Sequence, residues 1–107
     1  MSGEQLRLLN KMKNLIRQGK TRFEDRRRDR DYQADLFEIG ISEEEAWFKH
    51  ILSLNAYYYI PDYRPTYNKT GEALTFKKKI NNMEVYIKLK MEEDETVCLS
   101  FHKDNWR

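Results

Sequence analysis

The chain has a single cysteine, Cys98, among its 107 residues. An internal disulfide is excluded, a cysteine-based zinc site lacks ligands, and a reducing compartment is the expected setting, with the cytoplasm as default. No apolar run approaches the ~18 residues needed to span a bilayer. The opening "MSGEQLRLLNKMKNLI" has neither the apolar core nor the small-residue cleavage site of a secretory signal, and Gly3 follows Ser2, so the glycine that myristoylation needs second is absent. Net charge is also scarce: 36% of residues are charged, yet the formal balance is only +2. A polycation is excluded, and any role with nucleic acid must come from local clustering of charge.

What is present fits one domain, residues 1–107, with a modest core that buries somewhat over ~60% of the extended chain's surface. Leu9, Met12 and Ile16, flanked by Leu8 and Leu15, form an apolar stripe on a helix over residues 4–19 that Gly19 can close. "TRFED" either pairs as an edge strand or turns the chain. "RRRDRDYQADLFEI" then carries Tyr32, Leu36 and Ile39 at helical spacing up to Gly40. Its "RRRDR" mixes signs with Glu24, Asp25 and Asp31, which suits a solvated helix face. Ser42 with Glu45 makes a capping box that starts a third helix, whose buried face is Trp47, Ile51 and Leu54. The aromatic run "AYYYIPDYRP" ends it, and Pro61 and Pro65 mark the following loop.

From residue 72 the apolar period falls to two. Leu74, Phe76 and Ile80 share a face, as do Met83, Val85, Ile87, Leu89 and Met91, and then Val97, Leu99 and Phe101. Antiparallel strands follow, joined by a turn at Asn81-Asn82, where asparagine tolerates positive φ, and by a second at "EEDE". The expected fold is α+β: N-terminal helices packed on one face of a C-terminal three- to four-stranded antiparallel sheet. The two-residue turn pairs Ile80 with Met83, Phe76 with Ile87 and Leu74 with Leu89 on the buried side, and Lys77 with Tyr86, Lys79 with Glu84 and Thr75 with Lys88 on the other. In the second hairpin Val97 opposes either Leu89 or Met91, which brings either Ser100 or His102 opposite Tyr86. Lys78 breaks the alternation, implying a β-bulge or a strand edge with its stem snorkelling to water.

Either register gathers Lys77, Tyr86, Lys88, Lys90, Ser100 and His102 on one surface. These are parts for gripping a phosphodiester: ammonium groups for the backbone charge, a phenol ring for stacking, and an imidazole, which titrates near ~6.5, for proton transfer. RNA supplies its own nucleophile, because the 2′-hydroxyl can attack the adjacent phosphorus if a base takes its proton, a cation steadies the phosphorane and an acid protonates the leaving 5′-oxygen. That chemistry needs no metal, and no cofactor is expected. Plainer roles compete with it. Alternating lysines also discourage edge pairing, the tyrosines at 57 to 59 also suit strand packing, and His50 and Cys98 suit structural roles.

The pattern "GEALTFKKKINNMEVYIKLKMEEDETVCLSFH", preceded by "LFEIGISEEEAWFKHILSL", resembles the motility quorum-sensing regulator (MqsR) toxins, which are similar in fold to RelE-type messenger-RNA interferases. The resemblance covers the chain from about residue 20 onward, and its most specific motif is "VYIKLK" with "CLSFH" at this spacing. It implies a bacterial toxin of a type II toxin-antitoxin pair: a metal-independent endoribonuclease acting on mRNA, ribosome-held or not, and silenced by an antitoxin protein encoded nearby. On this resemblance Tyr86 lies at the family's sheet tyrosine and His102 at the basic position ending its last strand. Lys77 or Lys79 is the counterpart of the polar group one strand earlier, and Tyr59 is the residue carried over from the aromatic segment. In the implied site His102, Tyr86 and Lys88 are catalytic, and Lys77, Lys79, Lys90, Tyr59 and Ser100 bind RNA. RelE-type enzymes rely on arginines at the phosphate, whereas these strands offer lysines, which lack the bidentate fork; either lysine suffices or turnover is weak. The alternatives are a non-catalytic RNA-binding module and a protein-interaction module that docks a partner through residues 57 to 63. An antitoxin facing the basic surface would carry acidic side chains, or would act from a distance.

Overall fold

The structure is a computed structural model and describes residues 1–24, 31–61 and 73–104. The expectations placed on "RRRDR", Tyr63 and Pro65 lie outside the described residues.

Helix α1 spans Gly3–Arg17. Ser2 caps it reciprocally with Gln5, satisfying backbone N–H groups that the first turn leaves unpaired. Gly19 at φ 76° ends it, with Gly19 N–H donating to Ile16 and Lys20 N–H to Leu15. That left-handed step turns the chain directly into β1, Thr21–Phe23. Helix α2, Tyr32–Ile39, is capped by Asp31 and closed by Gly40 at φ 88°. The capping box of Ser42 and Glu45 opens α3, Glu43–Glu45. The third helix does not remain α-helical: a π-helical turn, Ala46–Ile51, follows, with Leu52 N–H donating to Trp47. A 3₁₀ turn, Ala56–Tyr58, capped by the Asn55 side chain, leads toward the sheet.

The sheet is formed by β1, β2 (Ala73–Ile80), β3 (Met83–Glu92) and β4 (Glu95–Lys103), in the order β1-β4-β3-β2. The three C-terminal strands pair antiparallel as expected, and "TRFED" supplies an edge strand: short β1 runs parallel to β4, with Phe23 opposite Cys98, which makes the sheet mixed. The β2–β3 register is the expected one throughout, from Ile80 opposite Met83 to Leu74 opposite Leu89. Asn81 and Asn82 adopt φ 50° and 65°, the twist that a two-residue hairpin requires.

The β3–β4 pairing combines two registers. Tyr86 opposes His102 and Lys88 opposes Ser100, but beyond a bulge Leu89 opposes Cys98 and Lys90 opposes Val97. Leu99 is the extra residue, and it puts the residues before it, Cys98 and Val97, out of phase with the alternation after it. The expectation that Val97, Leu99 and Phe101 share the helix-facing side is therefore corrected. Cys98 joins Phe101 in the core with Leu89, while Val97 lies on the side of Lys90 and Arg22.

Leu9, Met12 and Ile16 of α1, Leu36 and Ile39 of α2, and Trp47, Ile51 and Leu54 pack against Leu74, Phe76, Val85, Ile87 and Leu89. Thr96 reaches into this layer and donates its hydroxyl to the Met12 carbonyl at 2.8 Å, tying α1 to β4. Lys78 sits on the helix side of β2, the strand edge, as one of the sequence alternatives held. Its stem passes the Tyr58 ring, 5.5 Å from ammonium to ring centre, and its ammonium donates to Ser53 Oγ at 2.7 Å. Among the described residues no helix is long and apolar enough to cross a membrane.

Candidate functional site

The opposite side of the sheet carries none of the helix-packed core cluster, and successive rows across its strands define the site. Lys77, Tyr86 and His102 form one row; Thr75, Lys88 and Ser100 form the next. Neighbouring strands in such rows lie about 4.8 Å apart, so side chains within a row meet directly. The sequence-derived candidates Lys77, Tyr86, Lys88, Ser100 and His102 are thus brought together. Lys79 sits one row further out, exposed and opposite Glu84.

The rings of Tyr86 and His102 stack, with centroids 5.4 Å apart and planes 22° from parallel. Tyr86 is only 7% exposed. A ring so enclosed, with one face against an imidazole, is poorly placed as an open platform for a base; its geometry suits orienting His102. His102 is half-buried, and its Nδ1 lies 2.9 Å from the Lys103 carbonyl. A carbonyl oxygen can only accept, so in the neutral ring Nδ1 carries the proton and Nε2 keeps the lone pair. The tautomer is therefore set by the backbone of the same strand.

Two candidates do not join the group. Lys90 shares the outer side of β3, but it is 2% exposed and its ammonium pairs with Glu92 at 3.4 Å. It belongs to a charged cluster in which Arg22 meets Glu24, Glu92 and Glu95, which sets this expected RNA-binding residue apart from the accessible lysines. Thr75, Val97 and Lys90 are all buried, leaving the Lys77, Lys79, Lys88 and His102 end as the more accessible one. Tyr59 is on the wrong side of the sheet. Its ring meets core Phe76 edge-on at 6.0 Å and its hydroxyl accepts from Gln5 of α1 at 2.9 Å, so this expected RNA-binding residue fastens helix to sheet, away from the outer rows.

One site residue escaped the sequence reading. Asp104 Oδ2 lies 2.7 Å from Lys77 Nζ, and its backbone N–H donates to the Glu84 carbonyl at 2.8 Å, extending the ladder one residue beyond β4. The signal was available: Asp104 follows His102 by two, the period that keeps side chains on one side of a strand, but the apolar alternation stops at Phe101.

On the helix side, His50 is buried, its Nδ1 lacks a hydrogen-bond partner among the described residues, and its carbonyl accepts from Ser53 and Lys78. Burial, then the Lys78 and Lys49 ammonium groups, pull its pKa below the usual imidazole value. Burial first, then Lys49, also lowers Lys78. Cys98 is buried and its thiol donates to the Ser100 carbonyl at 3.2 Å; burial pushes its pKa far up, so no thiolate is at hand.

Chemically, the outer rows offer an imidazole with a set tautomer, a phenol stacked on it and ammonium groups on both flanks. No family model matches the chain, and no curated protein matches it.

Proposed function

We propose that this protein is an endoribonuclease toxin of a type II toxin-antitoxin pair, acting on mRNA in the cytoplasm, with His102, Tyr86 and Lys88 at its centre. The observation that carries the reading is the stacked Tyr86–His102 pair, directly opposite in β3 and β4 and flanked by Lys77 and Lys88. The likeness of "VYIKLK" and "CLSFH" to the MqsR toxins supports it independently of the geometry.

In the proposed reaction Nε2 of His102 takes the proton of the RNA 2′-hydroxyl. The 2′-oxygen then bonds to phosphorus, the bond from phosphorus to the 5′-oxygen breaks, and that oxygen receives a proton from an acid in the site. The products are a 2′,3′-cyclic phosphate and a 5′-hydroxyl. Lys88 and Lys77 oppose the charge that builds on the phosphorane, and Lys79 and Ser100 hold the flanking strand. Tyr86 holds the imidazole in plane and supplies a hydroxyl toward the reacting groups. The partner that silences the enzyme is an antitoxin protein whose acidic side chains meet the lysine-bearing end, or one that blocks from a distance.

Induced expression tests the assignment. Wild type should arrest growth, while His102→Ala and Tyr86→Ala should each relieve the arrest with unchanged circular dichroism; full toxicity in both variants removes the assigned site.

A second reading has one observation of its own. Tyr57 is 88% exposed, whereas Tyr58 and Tyr59 are partly buried against the core. A protein-interaction module would dock a partner there. In that case Tyr57→Ala abolishes complex formation and leaves the salt-dependent RNA affinity unchanged.

A further inference from the structure

Lys77 is the accessible lysine that shares a row with both Tyr86 and His102, and its ammonium is already engaged by a carboxylate. Asp104 is held there from two directions. Its Oδ2 is 2.7 Å from Lys77 Nζ, and its N–H is fixed to Glu84 at 2.8 Å. The Asp104 side chain is only 10% exposed, against 41% for Lys77, so the anion is the enclosed partner and the cation the open one. Alternation along the extended strand puts Asp104 on the side of His102.

A carboxylate and a phosphodiester oxygen make the same demand of an ammonium group: a short, charge-assisted hydrogen bond. We infer that Asp104 is an internal stand-in for a substrate phosphate, masking an anion site at Lys77 that a phosphate must take over before the row can act. The inference rests on the reading of the outer rows as the substrate site. It adds a regulatory contact to that site: the end of β4 competes with the substrate for the same lysine. An ordinary surface ion pair would do less, adding little to stability and leaving ligand affinity unchanged.

Inorganic phosphate and a fully 2′-O-methylated RNA oligonucleotide, which lacks the attacking hydroxyl, are titrated into wild type, Asp104→Asn, Lys77→Ala, the double variant and Glu93→Gln. Asparagine keeps the backbone N–H and nearly the same shape while removing the charge. Glu93→Gln removes the same charge at the hairpin turn at the opposite end of β3 and β4. The expected result is phosphate binding several-fold tighter in Asp104→Asn than in wild type or Glu93→Gln, with the gain gone in the double variant. The oligonucleotide should bind Asp104→Asn more tightly too, with a salt slope steeper by about 0.7, one more phosphate neutralised on a single strand. Equal phosphate affinity in wild type and Asp104→Asn overturns the inference, as does a gain that survives loss of Lys77 or is matched by Glu93→Gln. A Lys77-dependent phosphate gain with no oligonucleotide binding in any variant supports the mask and overturns the ribonuclease reading, so the two failures are distinguishable.

Discussion

Nδ2 of Asn81 donates to the backbone carbonyl of Ile39 at 2.9 Å, so the β2–β3 turn closes the end of helix α2. Asn81 therefore has two tasks, holding φ 50° and satisfying a helix-end carbonyl, whereas at Asn82 only the φ of 65° is evident. Asn81→Ala should cost about 2 kcal/mol of unfolding free energy and Asn82→Ala about 1 kcal/mol, while Asn82→Gly should cost nothing. Urea denaturation of the three variants checks the order; equal losses in both alanine variants contradict it.

His50 should make folding pH-dependent. Its folded pKa lies below its unfolded value, so the unfolded chain binds the proton first as pH falls. Stability is then fully present above about 6.5, the ordinary imidazole value, and declines as pH drops through it toward the depressed folded pKa. Urea midpoints measured from pH 7.5 down to 5 should fall, and His50→Gln should flatten the slope across that window. An unchanged slope in the variant places the titration elsewhere.

Ser53 links the end of the third helix to the sheet. Its hydroxyl donates to the His50 carbonyl at 3.0 Å and accepts from Lys78 at 2.7 Å. Ser53→Ala should lower stability by about 1 kcal/mol. Combining it with Lys78→Met, which keeps the stem and removes the charge, should cost less than the sum of the single changes, because the two substitutions break the same contact. Strict additivity in that double-mutant cycle would show the contact to carry no coupling.

Cys98 should resist alkylation in the native protein and react readily in denaturant, since burial removes both access and thiolate. Mass spectrometry after a timed iodoacetamide pulse checks this. Rapid native labelling would mean that the bulge at Leu99 opens frequently.

The sequence and the structure agree where one signal decides and part where two compete. Asn81-Asn82 admits a single register, so every β2–β3 pair is legible before any coordinates are seen. In "VCLSF" the residues of both parities are apolar, so alternation alone cannot reveal that Leu99 is an insertion, or that Cys98 and not Val97 faces the helices. Lys77 and Lys90 look equivalent as letters on alternating strands. Their difference comes from Glu92 and Arg22, the latter brought alongside by a short parallel strand that periodicity could offer only as one alternative. Tyr59 misleads for a related reason. The partners that hold its ring and hydroxyl, Phe76 and Gln5, lie far away in the chain, Gln5 by more than fifty residues.

If the Tyr86–His102 row cleaves RNA through the 2′-hydroxyl, the ends left on the strand will reveal it. An end-labelled oligonucleotide is incubated with purified, antitoxin-free protein in chelator, and the products are identified by mass. Wild type should give a 2′,3′-cyclic phosphate and a 5′-hydroxyl, His102→Ala should give neither, and a substrate carrying 2′-deoxyribose at the cut nucleotide should be protected. Intact RNA with the folded wild type, or cleavage that leaves 3′-hydroxyl and 5′-phosphate ends, would contradict cleavage through the 2′-hydroxyl.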